Sequence, residues 1–502
     1  MDQSEVINRH LSKRFKVLLD RVTDSRIKRF LFSSLIFFVC FGYWSIATPM
    51  FAVPDEPAHL VRAYGISAGD FSGEPQAKGE PIYSVPKILT TEVCFARNSD
   101  QTANCLAFPK TNEQVLTTSS AATYPPFSHL LFSLPFFLSN GLTALYASRL
   151  IGAFVCALLF ALGLDSLSRI KGSNALTAGV ALGLTPMVML SCATVNPSGM
   201  AIAAAFATWS GGLAISRLDK NLINTKMVAS LMFPLTIYLA IRRDSMLWGI
   251  AIMACLLILI SWSTILLLLK KLSVLFFIGV LAVELLLQFF VWGGPGGQGL
   301  SESGPIMSGS QTGNTHAAFG SLPNYFNEAI GVLGWLDTRM PDFVYLLWGS
   351  IFIGLFLLAA SVAQVRLRLS MLVAFCVFVV LPVKVGSVQF PYFQGRYALP
   401  LLIGAPLLAT LNLKESADSI LGNIRSIRTI SILIWALGIV GFFQAIRRYT
   451  IGLSSPWTDL AHPKWNPPIL STHFLLLTYP LFLLALILWL VRLFTTNRAN
   501  NM

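Results

Sequence analysis

Side chains able to do chemistry are concentrated in the stretch PDEPAHLVRAYG, which contains Asp55, Glu56, His59 and Arg62. Two adjacent carboxylates can take a proton or contribute to a site for a divalent cation such as Mg or Mn. Pro57 favours a helix start here, so His59 and Arg62, three residues apart, share one helical face. The competing interpretation is that the carboxylates only cap that helix. We treat Asp55 and Glu56 as candidate catalytic residues, with His59 and Arg62 as supporting residues.

Basic side chains that suit a phosphate group occur in two other places. Arg242 and Arg243 are adjacent in AIRRDSM, Lys384 lies near the end of one apolar run, and Arg396 in QGRY begins the next. Arginine contacts phosphate oxygens with a planar fork of donors, so these four are candidate phosphate ligands. The alternative is that they only extend to lipid headgroups, as basic residues near span ends often do.

Other polar residues are weaker candidates. Tyr124, Asn196 and Asp337 could contact a substrate, but they could also anchor the interface, form a turn and pair with Arg339, respectively. Glu284 lies within an apolar run, where a lone acid is either functional or an interhelical hydrogen-bonding group.

The composition predicts that membrane-spanning helices position these residues. The chain has 502 residues, of which 55% are hydrophobic and 12% charged. Long apolar runs can satisfy their backbone in a bilayer only as helices, so we expect an all-α polytopic membrane protein. The net charge of +13 fits basic loops on the inner side of a membrane, and no motif indicates nucleic acid.

We expect about twelve transmembrane helices, between roughly 11 and 13, in a single membrane domain over 31–492. Segments 1–30 and 493–502 are then cytoplasmic. The predicted spans are 31–53, 142–164, 175–195, 198–216, 227–241, 246–268, 272–292, 342–364, 369–388, 396–412, 429–446 and 471–492.

Charge decides the sidedness of the loops. If 125–141 lies on the outer leaflet instead of crossing, inner segments hold about twice as many Lys and Arg as outer ones. The large loops 54–141, 293–341 and 447–470 are then extracytoplasmic. Cys94 and Cys105 share the first of these loops, where an oxidising setting favours a disulfide over two free thiols.

The motifs resemble one bacterial family of multispanning membrane proteins, catalogued as domain of unknown function 2142. The resemblance is carried in order by PDEPAHLVRAYGISAG, TYPP, TPMVMLSCATVNPSG, GVLGWLDTRMP and QGRYALPLL. Ser198 departs from it, because many relatives have an acid after VNP. The family is in turn similar in layout to the GT-C glycosyltransferases, which place an acidic motif in the first outer loop.

This resemblance implies a function. GT-C enzymes transfer sugars from polyprenyl-phosphate-linked donors at the extracytoplasmic face, here of the bacterial cytoplasmic membrane, to an envelope glycan or lipid. Asp55 would then be the base, and the arginines would hold the phosphate. The alternatives are a transporter or flippase of a lipid-linked glycan, and a non-catalytic envelope assembly factor. A transporter should show several midplane charges, whereas Glu284 is the clear midplane acid.

Overall fold

The computed structural model describes residues 25–76, 79–111, 113–170, 174–290, 311–388, 392–413 and 424–496. Predictions for the two termini and for 291–310 fall wholly or partly outside these residues. Within them the chain is mainly helical. The helices are α1 (Arg26–Ala47), α2 (Glu56–Ser67), α3 (Phe127–Ser133), α4 (Gly141–Leu167), α5 (Leu176–Gly183), α6 (Pro186–Cys192), α7 (Pro197–Arg217), α8 (Thr225–Ile241), α9 (Ser245–Leu259), α10 (Trp262–Leu269), α11 (Leu272–Phe290), α12 (Gln311–Gly320), α13 (Leu322–Gly331), α14 (Asp342–Val362), α15 (Val365–Val388), α16 (Leu399–Leu402), α17 (Ala405–Thr410), α18 (Ile424–Thr450) and α19 (Thr472–Thr496).

The helices confirm an all-α, multi-pass membrane protein. Seven of the described helices are long and apolar enough to cross a bilayer, or eight if α9 and α10, which meet at a bend of 117°, form one broken span. The count of twelve stays a prediction, because several expected spans are interrupted. The segment 175–195 breaks before Pro186, and 396–412 is split into a 3-10 turn and the short helices α16 and α17. Proline cannot donate the backbone hydrogen bond that would continue each helix.

Helix α7 lies at the centre of the bundle. The most apolar part of this helix is fully buried, and the helix packs against α4 and α8. Its sequence, PSGMAIAAAFATWSGGLAISR, is rich in Gly, Ala and Ser, which let neighbouring helices approach closely. The helix begins at Asn196, whose side-chain oxygen accepts from the amide of Ser198 at 2.9 Å.

The loop after α1, which was predicted to be extracytoplasmic, is folded. Strands β1 (Ile82–Pro86) and β2 (Gln114–Thr118) pair antiparallel, with Ile82 opposite Thr118. Cys94 and Cys105 lie in the segment that connects these two strands. They form a disulfide, with their Cα atoms 6.1 Å apart. The loop ends in α3 and a 3-10 turn, which together are shorter than a crossing requires. Helix α2 packs on β1 and α3, so the loop forms a lid beside the acidic motif.

A second, smaller hairpin lies between α13 and α14. Strands β3 (Val332–Leu333) and β4 (Thr338–Arg339) are joined by the sequence GWLD. The hairpin contacts α18. It therefore holds Asp337 against this helix.

Candidate functional site

Asp55 is at the N-cap position of α2, but its side chain does not cap the helix. Asp55 precedes α2 with a left-handed φ of 68°, and its side chain makes no capping hydrogen bond. Instead, its Oδ2 accepts from Nη2 of Arg396 at 2.9 Å. The Asp55 side chain is 43% exposed, whereas that of Arg396 is 6% exposed. A carboxylate in this position is accessible to a substrate and paired with a cation.

A close backbone approach holds Arg396 in place. A Cβ atom at Gly395 would overlap the carbonyl oxygen of Tyr325, so only glycine fits where the QGRY turn meets α13. The backbone amide of Gly395 donates to Oε2 of Glu328 at 2.6 Å. Burial raises the pKa of Glu328, while this hydrogen bond and nearby Arg396 act in the opposite direction. Glu328 was not among the sequence candidates, although it lies in the amphipathic part of the second loop.

A cavity of about 430 Å³ opens beside the Asp55–Arg396 pair. Arg242 and Arg243 both line it, together with Tyr124 and Tyr397. The guanidinium of Arg242 lies 4.6 Å from the ring centre of Tyr397 and 5.4 Å from that of Tyr124. The rest of the wall is formed by the polar residues Thr123 and Asp244 and by apolar side chains that include Leu247. The cavity thus offers cations beside an apolar surface, the chemistry of a lipid with a phosphate group.

Arg242 is held by polar neighbours at the base of the cavity. It donates from Nε to Asp244 at 2.7 Å and from Nη1 to the Ser198 hydroxyl at 2.8 Å. Ser198, the departure from the family pattern, therefore positions an arginine. Lys384 does not join the group, because its side chain is exposed and it is the neighbouring Val385 that lines the cavity.

Glu56 has a different environment from Asp55, although the two are adjacent. Its side chain is fully buried and forms a bidentate pair with Arg149, with both N–O distances 2.7 Å. Its Oε1 also accepts from the amide of Val195 at 3.0 Å. Arg149 in addition donates to the carbonyls of Ser45, Thr48 and Pro49, at the end of α1. Glu56 and Arg149 thus fix the chain turn that presents Asp55.

His59 and Arg62 lie behind the cavity wall. Nδ1 of His59 is 3.0 Å from Nε2 of His129, and the His59 ring meets that of Tyr124 edge-on. Burial, with nearby arginines, lowers the pKa of His59 well below 6.5, so the imidazole is neutral. Arg62 donates to the carbonyl of Ala121, and burial lowers its pKa to about 10. Both side chains support the wall and do not face the cavity.

Asp337 contributes to an anchor between two loops. Its Oδ2 accepts from Nη2 of Arg448 at 2.9 Å, instead of pairing with Arg339. Arg448 also donates to the carbonyls of Phe95 and Gln101, both within the loop closed by the disulfide, at 2.7 and 2.6 Å. This one guanidinium therefore joins the disulfide loop and the β3–β4 hairpin to α18. The amide of Asn196 is occupied in the cap of α7 described above.

The two carboxylates expected to bind a divalent metal do not fit that role. Both oxygens of Glu56 are engaged by Arg149, so Asp55 and Glu56 do not form a chelating pair. Among the described residues, no three His, Cys, Asp or Glu side chains group together as ligands.

Among known proteins, no curated sequence matches this chain. The structure is similar to that of ArnT from Cupriavidus metallidurans. The apo ArnT structure gives a TM-score of 0.48 at 13% identity, over 92% of this chain and 76% of that one. The ArnT structure bound to undecaprenyl phosphate gives 0.49 at 14% identity, over 93% and 77%.

A family model also matches the sequence. Residues 37–405 match the model of the family described as predicted membrane protein DUF2142. That range runs from α1 to α17 and includes Asp55, Arg242 and Arg396. Because the match extends over most of the chain, the protein belongs to the DUF2142 family of predicted membrane proteins.

Proposed function

We propose that the protein is a membrane glycosyltransferase of GT-C type. It transfers a sugar from a polyprenyl-phosphate-linked donor to an envelope glycan or lipid at the extracytoplasmic face. The observation that carries the proposal is the accessible Asp55 carboxylate paired with Arg396, beside a cavity lined by Arg242 and Arg243. A base and phosphate-binding cations in one place are what this reaction requires.

The reaction assigns a task to each group. The acceptor hydroxyl attacks the anomeric carbon, and the bond from that carbon to the phosphate oxygen breaks. The electron pair leaves with the phosphate, whose charge the arginines stabilise. Asp55 takes the proton of the attacking hydroxyl. Because Arg396 pairs with Asp55, a donor phosphate that contacts Arg396 competes with the carboxylate for this cation and frees the carboxylate.

The cavity also fits the amphiphilic nature of such a donor. Its volume of about 430 Å³ lies within the range of ligand pockets. Arg242 and Arg243 supply charge at one side, and Leu247 and Trp248 supply apolar surface. A phosphate group can meet the arginines while the first isoprene units contact the apolar wall.

The test uses the full chain in lipid nanodiscs with a panel of radiolabelled polyprenyl-phosphate hexoses and pentoses and an envelope extract as acceptor. We expect Asp55→Asn to lower transfer by roughly 10² to 10⁴. Binding of undecaprenyl phosphate should be retained, which separates loss of chemistry from loss of folding. Asp219→Asn, at an exposed acid on the other end of α7, is the matched control. Transfer by Asp55→Asn at the wild-type rate would show that Asp55 is not the base.

A further inference from the structure

A second polar cavity lies at the opposite end of the bundle. It has a volume of about 510 Å³ and is lined by Arg217, Lys220 and Arg366. Arg217 is the last residue of α7, whereas Ser198, beside Arg242, is near the start of that helix. At 1.5 Å per residue α7 is roughly 30 Å long, about the thickness of the hydrocarbon core. The two cavities are therefore on opposite faces of the membrane.

Within the part of the chain that the structure describes, the cations of this second cavity have no acidic partner. Among the described residues, none of these three makes an ion pair with a carboxylate. Arg217 donates to the neutral side-chain oxygen of Asn412 at 2.5 Å. Asp219 is the one carboxylate in the lining, so positive charge predominates. Such a cavity attracts an anion, and arginine pairs suit phosphate.

An apolar groove adjoins the polar cavity. It has a volume of about 470 Å³, and its lining from α8 to α11 is almost entirely aliphatic. Ile215 lines both spaces, and along α10 Thr264 faces the polar cavity while Ile265 faces the groove. A charged headgroup site thus continues into an apolar channel of similar size. A free phosphate ion would leave that groove unfilled, whereas a diacyl lipid fills both spaces.

We infer that this end of the bundle is a binding site for an anionic phospholipid. Its phosphate lies between Arg217 and Arg366, and one acyl chain occupies the groove formed by α8–α11. The inference is independent of the proposed reaction, because it involves neither Asp55 nor the outer cavity. The site is on the face where the short Lys- and Arg-containing loops lie, which favours anionic headgroups.

Lipid exchange into nanodiscs, read out by native mass spectrometry, tests the inference with three probes. These are dioleoylphosphatidylglycerol, dioleoylphosphatidylcholine and glycerol 3-phosphate. We expect the anionic lipid to bind roughly tenfold more tightly than the zwitterionic one, and glycerol 3-phosphate to bind weakly. The double variant Arg217→Gln with Arg366→Gln should remove the preference. Met253→Trp, which fills the groove, should weaken the anionic lipid while leaving glycerol 3-phosphate unchanged.

A control and a fallback variant keep the outcomes distinct. Arg428→Gln changes an exposed cation outside the cavity and should keep the preference. If the double variant does not fold, Arg366→Gln alone replaces it in the experiment. The Arg366 side chain is exposed, so this single change should not disturb folding. An unchanged preference in the Arg366 and double variants overturns the inference. Glycerol 3-phosphate binding as tightly as the lipid, with no effect of Met253→Trp, assigns the site to a soluble anion instead.

Discussion

Arg396 and Asp55 are 341 residues apart in the sequence, yet their side chains meet at 2.9 Å. The contact joins the acidic motif that follows α1 to the QGRY turn in the C-terminal third of the chain. Its two partners differ in exposure, because the carboxylate is accessible and the guanidinium is nearly buried. The pair therefore consists of a fixed cation and an accessible carboxylate.

Replacing Arg396 tests whether its forked geometry matters. Arg396→Lys keeps a positive charge but loses the planar pair of donors, so we expect roughly tenfold weaker binding of undecaprenyl phosphate. Arg396→Gln should weaken binding further. Lys384→Gln is the matched control, since Lys384 is exposed and does not pair with Asp55, and it should bind as wild type does. Equal losses in the Lys384 and Arg396 variants would contradict the assignment.

Glu56 should matter for stability and not for proton transfer. Glu56→Gln leaves the buried Arg149 without a counter-charge, which typically costs about 3 to 5 kcal/mol. Thermal unfolding in detergent should therefore shift strongly downward. Glu113→Gln removes an acid from the exposed pair with Lys87 and should cost less than about 1 kcal/mol. A wild-type melting temperature for Glu56→Gln would mean that Glu56 does not hold this turn.

Glu328 should act as a positioning residue through Gly395. Glu328→Gln keeps an oxygen that can accept from the Gly395 amide, whereas Glu328→Ala removes it. We expect the alanine variant to lower both undecaprenyl phosphate binding and transfer, and the glutamine variant to retain most of each. If Glu328 instead exchanged protons with substrate, glutamine would be as damaging as alanine. Comparing binding with transfer in the two variants distinguishes these roles.

The His59–His129 pair predicts how stability depends on pH. Burial and neighbouring arginines lower the pKa of both imidazoles well below 6.5. As pH falls below 6.5, the unfolded chain takes up protons that the folded chain does not, so the free energy of unfolding decreases. The melting temperature should therefore fall between pH 7 and about pH 5. A double variant, His59→Phe with His129→Phe, should show a smaller fall over that range.

Sequence reasoning predicted the helical class, the disulfide-forming loop and the motif that contains Asp55, because these depend on local composition and spacing. It could not separate Asp55 from Glu56. That difference arises because Arg149, on α4, reaches only the second carboxylate. Likewise Lys384 and Val385 are neighbours in the sequence, and only the fold decides which of them faces the cavity.

The broken spans were partly visible in advance. Pro186, Pro400 and Pro406 lie within segments expected to cross the membrane, and proline at such positions indicates interruption. Glu328 carried no comparable signal. Its importance depends on Gly395 coming within hydrogen-bond distance, which is a tertiary contact between loops 67 residues apart.

The left-handed backbone at position 55 narrows the choice of amino acid there. Glycine, asparagine and aspartate enter this conformation most readily, whereas longer side chains are penalised by about 1 to 2 kcal/mol. Of the three, aspartate alone carries a negative charge. Geometry and chemistry thus converge on a single residue type, and glutamate, the usual conservative exchange, would retain the acid while straining the turn that aims it.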